Sequence, residues 1–523
     1  MEKRALIAIA LAFIILILYQ YVFLKPTPQQ IQKKAPVEKK EEPKPVKPAE
    51  FIIPPKILSE EKEIRVENDL YSAVFSTRGG TLKYYEIKKY KGKKGKNVIL
   101  LTGQGMTPSL GIGSKVDFDI SGVNFSVSGK DITLDKDNKS DTLVFEYSVS
   151  GLSVRRTYTF SYATYRIDIK DEVAGPSDYW ITLGTDFGIH DKTETGTHIG
   201  PVLLKETDRI EFTAKKLKEA MSYTGNLKWI AQEDKYFFAS LVPLNVMEEA
   251  KVWMEKDTPV VAFKGRPGSN SFILYAGPKE YDRLKALGIG LEHIIDFGFF
   301  SVIAMPLFWI LKLFYKFTGN YGWAIVLLTF IVRIPFIPLV NKSQKAMKKL
   351  QELQPRMAEI REKYKKDPQR IQKEMMELYK KHKANPLGGC LPILLQIPVF
   401  FALYKILLIT IELRGAPFIL WVNDLSSPDS LFGHIPSWFP LIGGFAVGPL
   451  PILMGVSMVI QQKLTPSTMD PTQNKIMMLM PIVLTFLFLN FATGLVLYWL
   501  MNNVFSIAQQ LYVNRKLTKQ ATV

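Results

Sequence analysis

Cysteine occurs once, at Cys390, which excludes an internal disulfide framework, a Cys-based zinc site and an iron–sulfur cluster. Histidine is nearly as scarce: His190, His198, His293, His382 and His434 have no metal-ligand spacing. No G-x-x-x-x-G-K-[ST] occurs, so there is no P-loop for a nucleotide. Gly111 and Gly113 lack the third glycine of a dinucleotide fingerprint. Neither metal nor cofactor is expected, and no specific recognition of nucleic acid.

What is present is apolar sequence in long blocks. The 523 residues carry 67 basic against 49 acidic side chains, so 67 − 49 = +18, and 47% are hydrophobic. This length allows two to four domains. The apolar residues concentrate before residue 25 and after about 297, so a bilayer and water both serve as solvent for this chain. Residues 5–24 contain Gln20 as their only strongly polar side chain and follow Lys3 and Arg4. That run is longer than a signal-peptide core and no A-x-A site follows, which predicts an uncleaved anchor over 1–24. Further spans are expected at about 321–341, 391–412, 445–462, 476–490 and 494–512. The last two form one run of 37 apolar-rich residues, roughly 55 Å as a single helix, so a break at 490–494 (NFATG) is required.

Charge sets the orientation. Residues 341–386 carry 14 Lys and Arg against 6 Asp and Glu, whereas 415–440 carry no Lys or Arg; Arg515, Lys516 and Lys519 mark the C-terminus. The positive-inside rule puts 341–386 and both termini in the cytoplasm and residues 25–320 outside. If the block at 297–315 also spanned, the Lys-rich segment would fall outside. It is therefore expected along the outer interface as an amphipathic helix broken by Pro306, within a region 283–318. The total is six spans.

Residues 25–56 contain eight Pro and eight Lys, too little apolar surface to fold, so 25–60 reads as a tether. Residues 61–282 alternate apolar and polar residues in short runs such as TLVFEYS at 142–148, predicting antiparallel β-structure in a sandwich. Within 342–386, Met347, Leu350, Met357, Ile360 and Tyr364 form one helical stripe, and Ile371, Met375, Leu378 and Tyr379 a second. Asp367 and Pro368 separate them, which predicts a helical hairpin: a solvated helix pair or a docking surface for a ribosome, a nascent chain or another cytoplasmic partner.

Arg333 is the first candidate for function. An arginine at a span's centre costs about 2.5–3.5 kcal/mol on insertion scales, and no Asp or Glu lies inside another span, Glu412 standing at the end of one. It must snorkel inward or face water held within the bundle. Thr329 lies one turn away on its helix face, and Gln396, Ser457, Asn490, Asn502, Asn503, Gln509 and Gln510 are available elsewhere. Each of these fits an interhelical hydrogen bond; together they suggest a hydrophilic groove. Methionines at 454, 458, 477, 478, 480 and 501 offer soft surfaces, or ordinary gap-filling. His190 and His198, near Asp186, Asp191 and Glu194, leave acid–base chemistry on a sugar as a minor reading.

These residues fall into motifs. GNYGW at 319–323, TFIVR at 329–333, NPLGGCLPILLQIPVF at 385–400, ALY at 402–404, ELR at 412–414, Asp424 with Leu425, and GLVLY at 494–498 resemble the YidC membrane protein insertase family over 284–516. TRGG at 77–80, the anchor and the tether extend the resemblance to its Gram-negative type with a large periplasmic domain. The implied fold is a polytopic α-helical membrane protein: six spans, a five-helix insertase core over 319–516, an all-β periplasmic supersandwich and a cytoplasmic helical hairpin. The implied activity is non-enzymatic, insertion and chaperoning of client segments in the bacterial inner membrane, alone or with the Sec translocon. Arg333 matches the family's groove arginine, and Thr329 and Tyr498 match client-contact positions; Gln396 and Asn502 join them as groove candidates. Implied partners are nascent membrane proteins, the Sec translocon, the phospholipid bilayer and the ribosome through 342–386. The chain departs from the pattern in extra apolar residues at 435–448 and a short basic tail at 517–523. The alternative is a secondary transporter or channel with Arg333 as substrate counter-ion.

Overall fold

The computed structural model describes residues 60–521, apart from 93–94, 113–118, 150, 176–177, 195, 366, 383–390, 440–442 and 466–470. The expected anchor (1–24), most of the tether, the 385–390 part of the NPLGGC motif and residues 522–523 lie outside that set. The described residues form two compact units, divided between Asp296 and Phe297.

The first unit is rich in β-structure, with one nine-stranded and two five-stranded sheets. Strand formation follows the alternation. In Leu152–Ser161 every second side chain from Leu152 is buried, and Arg166–Ala174 pairs with it antiparallel, Phe160 opposite Ile167. Phe75, from Tyr71–Ser76 in a five-stranded sheet, meets Tyr158 and Phe160 of the nine-stranded sheet at 4.8 and 5.3 Å between ring centres. This aromatic layer, fully buried, joins the two sheets.

One inward position breaks the apolar pattern. Arg156 is completely buried opposite Asp171, and the pair is bidentate: Nε to Oδ1 at 2.6 Å and Nη2 to Oδ2 at 2.8 Å. Arg156 Nη1 also donates to the Pro108 carbonyl at 2.6 Å, so the buried charge is paired and hydrogen-bonded. A short helix α1 (Tyr281–Ala286) follows the last strand.

The second unit is helical: α2 (Ser301–Thr318), α3 (Tyr321–Arg333), α4 (Ile337–Glu352), α5 (Gln354–Lys363), α6 (Pro368–Lys381), α7 (Leu391–Ile409), α8 (Pro449–Leu464), α9 (Pro471–Phe488) and α10 (Thr493–Ala521). Helix α2 runs through Pro306 without a break, contrary to the sequence expectation, although Pro306 lies beyond the first turn and forgoes a bond to the Val302 carbonyl. Among the described residues, α2 and the stretch Tyr321–Glu352 are long and apolar enough to cross a membrane. Between α3 and α4 the chain makes a single 3₁₀ turn, Ile334–Phe336, at Pro335. Helix α10 packs against α3 and α8, α9 packs against α8, and α2 against α3 and α7. Gly455 of α8 permits close approach to α9, since a Cβ there would lie 2.1 Å from Thr485 Oγ1.

Leu350, Leu353 and Met357 are buried, with Met347, Met375, Leu378 and Tyr379 packed on them, so the two stripes meet. Asp367 caps α6 by accepting from the Arg370 N–H at 3.0 Å, with Pro368 at the first turn.

Candidate functional site

Arg333 ends α3. Its guanidinium turns toward α10, where Nη1 donates to the Asn502 side-chain oxygen at 3.0 Å and to its carbonyl at 3.1 Å. Nε and Nη2 share the Gln509 side-chain oxygen at 3.3 and 3.1 Å. Among the described residues every one of these acceptors is uncharged. Carbonyl dipoles thus solvate the cation without neutralising it, so its field remains available to a negative group brought alongside.

The acceptors are themselves held. Gln396 of α7 donates to Asn502 Oδ1 at 3.1 Å, and Gln509 donates to Asn341 Oδ1 at 2.8 Å and the Ile337 carbonyl at 3.3 Å. Asn502 and Gln509 stand two turns apart on one face of α10. One amide network therefore ties α3, α4, α7 and α10 together.

Beside it lies a recess of about 30 Å³ lined by Thr329, Val332, Arg333, Phe336, Val340, Gln396, Tyr498 and Asn502. That is room for about two waters. The five residues expected at the groove, Arg333, Thr329, Tyr498, Gln396 and Asn502, are thus brought together. Thr329 is buried and donates to the Ile325 carbonyl at 2.7 Å; Tyr498 is buried one turn before Asn502.

The other polar candidates go elsewhere. Asn503 donates to Ser457 Oγ at 2.9 Å and Gln510 to Thr465 Oγ1 at 3.2 Å, which are interhelical bonds between α10 and the α8 end. Asn490 is exposed in the turn between α9 and α10. Phe336, Val340 and Asn341 were not singled out from sequence. Phe336 and Val340 follow Thr329 and Arg333 in a 4-3-4 spacing that Pro335 and Pro338 concealed, whereas Gln509 was already among the polar candidates of the sequence.

The β-rich unit does not assemble its histidines. His190 Nδ1 faces the Ile99 carbonyl at 3.2 Å, while His198 Nε2 faces the Pro201 carbonyl at 3.1 Å. Burial pushes the His198 imidazole below its usual range, against the opposing pull of Glu233 and Glu211. These are packed, locally bonded side chains, and the sugar-chemistry reading finds no support in their geometry.

Several motif residues are joints. Gly319 ends α2 in the left-handed region (φ 65°), Asn320 accepts from the Trp323 N–H at 3.2 Å to cap α3, and its amide donates to the Pro417 and Phe418 carbonyls. Gly322 leaves room for Phe418, whose ring would lie 2.0 Å from a Cβ there.

Comparison with known proteins matches residues 313–520 to the 60Kd inner membrane protein family and residues 63–310 to the YidC periplasmic domain. The membrane protein insertase YidC of Citrifermentans bemidjiense is 38% identical over 553 residues, 98% of this chain and 99% of the relative. That of Geotalea daltonii is 38% identical over 548 residues, covering 99% and 100%. A crystal structure of an active YidC insertase with its first transmembrane domain resolved is 19% identical, with a TM-score of 0.39 over 87% of this chain and 93% of that one. The chain belongs to the YidC membrane protein insertase family and is an inner-membrane protein with a periplasmic domain.

Proposed function

We propose that this protein inserts client transmembrane segments into the inner membrane and assists their folding, using Arg333 and its neighbours as a positively charged hydrophilic groove. The observation that carries this reading is the Arg333 guanidinium, held among the described residues by neutral oxygens of Asn502 and Gln509 beside the recess shared with Thr329, Gln396 and Tyr498. A recess that holds two waters is too small for a polypeptide. Client entry therefore requires α3, α7 and α10 to part, with the amide network exchanging its internal bonds for bonds to the client's polar flank.

The driving force is transfer of about 20 apolar client residues into lipid. The membrane potential adds roughly 2.3 kcal/mol per charge per 100 mV. In this scheme an anchor at 1–24 and spans at α3–α4, α7, α8, α9 and α10 leave both termini and 342–386 in the cytoplasm. Helix α2 lies along the outer interface, a placement supported by its exposed Val302, Trp309, Leu313 and Phe317. The Lys-rich segment around α5 and α6 meets the ribosome, and the protein works alone or with the Sec translocon. Family membership gives no support to the transporter alternative.

The test is reconstitution. Purified protein in liposomes receives a single-span client with a short acidic external tail, and protease protection reports insertion. Insertion above empty liposomes that drops for Arg333→Ala is expected; full insertion by Arg333→Ala across all clients would refute the charged groove.

A further inference from the structure

We propose that the connection between α7 and α8 is a lipid anchor. Its two apolar turns, Ile419 with Leu420 and Trp438 with Phe439, sit in the headgroup–acyl boundary of the outer leaflet. The inference rests on the reading of α7 and α8 as spans.

The connection is built without outward charge. Residues 415–448 contain no Lys or Arg and two acids, Asp424 and Asp429. Asp424 Oδ1 accepts from the Gly415 N–H at 3.0 Å and from Ser426 N and Oγ at 2.8 Å. Asp429 Oδ2 accepts from Trp421 Nε1 at 3.1 Å and the Leu450 N–H at 2.9 Å. Both carboxylates are thus consumed in fixing the connection to itself and to the start of α8. Backbone groups pair within it too: the Phe432 and Ile435 N–H groups donate to the Val447 and Phe445 carbonyls, and the Val447 and Gly444 N–H groups to the Gly433 and Ile435 carbonyls, at 2.8–2.9 Å. A segment with its polar groups internally paired can enter a low-dielectric boundary at little desolvation cost.

Its most exposed large side chains are apolar, among the smaller polar Asn423, Ser430, His434 and Ser437. Trp438 is 79% exposed, and Phe432, Leu431 and Phe439 are also exposed. Leu420 is the sharper case: it is 82% exposed and its φ is +56°, a left-handed conformation that favours Gly or Asn. In water a leucine at that turn gains neither burial nor backbone ease. In lipid its side chain is solvated, which accounts for the exposure and offsets the backbone cost. The connection continues into α8, whose Ile452, Leu453 and Val456 are also exposed, so apolar exposure carries on from the connection into the span. Aromatic side chains are favoured at this depth, and the lack of basic residues means a zwitterionic surface suffices.

The test uses the full chain with Cys390→Ser and one environment-sensitive fluorophore on Ser437→Cys or Asn423→Cys, in phosphatidylcholine vesicles holding this protein alone. Protease protection of the same vesicles first establishes that the helices span, which separates failure of the anchor from failure of the spanning reading. Blue-shifted emission, quenched by shallow spin-labelled lipid and weakly by aqueous iodide, is expected at both sites. Trp438→Ser with Phe439→Ser should cut lipid quenching at 437 by about half, and Leu420→Asn should do so at 423 while leaving the melting temperature unchanged or raised. Iodide access without lipid quenching would overturn the proposal. So would shielding that arises only when a second membrane protein is co-reconstituted, which would assign the turns to a protein partner.

Discussion

Asn502 Oδ1 accepts from Arg333 Nη1 at 3.0 Å while the adjacent Asn502 carbonyl accepts from the same nitrogen at 3.1 Å, so a single residue of α10 provides two of the four contacts that hold the groove cation. Because Gln396 donates to that same side-chain oxygen, Asn502 is where α3, α7 and α10 are fastened.

Asn502→Leu should therefore loosen the tie between α7 and α10, which Gln509→Leu leaves intact. It removes one acceptor from a charged donor and one from Gln396, and polar bonds between membrane helices are worth about 0.6–2 kcal/mol each. A lower melting temperature in detergent and a several-fold loss of insertion for acidic-tailed clients are expected from Asn502→Leu. Wild-type insertion by Asn502→Leu would show that Arg333 needs no fixed orientation.

The buried pair in the β-rich unit responds to loss of one partner. Asp171→Ala leaves the wholly buried Arg156 without its carboxylate and should cost about 3–5 kcal/mol of that unit's stability. Asp171→Asn should cost less, since an amide oxygen still accepts. Arg156→Met with Asp171→Leu should recover most of the loss. Calorimetry of the three variants checks the order, and a double variant no better than Asp171→Ala would contradict it.

Much of this was legible in the sequence because it depends on periodicity and charge. The alternation of Leu152–Ser161, the Asp367 cap and the turn at 490–494 follow from local chemistry, and Arg333 was conspicuous because a charge among apolar residues has no local explanation. What was not legible depends on pairing across the chain. Arg156 sits at an inward position of its strand, yet only the register with Arg166–Ala174 places Asp171 opposite it. The network at Arg333 likewise needed the packing of α10 to separate Asn502 and Gln509 from Asn503 and Gln510, which lie one residue further on and bond toward α8. Helix α2 runs through Pro306, and nothing in the local sequence distinguishes this proline inside a continuing helix from one that ends a helix.

His198 gives the β-rich unit an acid-sensitive term. Its folded pKa is depressed by burial below the ordinary value near 6.5, so the unfolded chain binds the proton more readily. The stability it contributes is complete above pH 6.5 and falls as pH drops from there through the folded value. Glu211, 3.9 Å from Nδ1, and Arg209 face the ring, and Glu233 adds to the field. The melting temperature of the full chain's β-rich unit should decline on acidification below pH 6.5, and His198→Gln should flatten that decline. An identical slope in His198→Gln would assign it to the carboxylates.

The basic surface of α4 and α6 should set ribosome association. Lys349, Lys373, Lys380 and Lys381 are exposed, while the helix pair is held by its apolar core, so changing all four to Gln should leave the fold intact. Co-sedimentation with ribosomes should fall several-fold near physiological salt, and its salt dependence should weaken. Unchanged co-sedimentation would place ribosome contact elsewhere.

Arg333→Lys separates charge from geometry. An ammonium on a four-carbon stem presents its donors from one atom, whereas Arg333 spreads three nitrogens over Asn502 and Gln509, two turns apart on α10. Lysine can reach one of these acceptors, and the other is left to Gln396 or water. The positive field survives, so insertion of acidic-tailed clients should remain well above Arg333→Ala and below wild type. The tie between α3 and α10 is halved, so the melting temperature should fall toward that of Asn502→Leu. If Arg333→Lys matched Arg333→Ala in insertion while keeping wild-type stability, the planar donor array rather than the charge would be what the client requires.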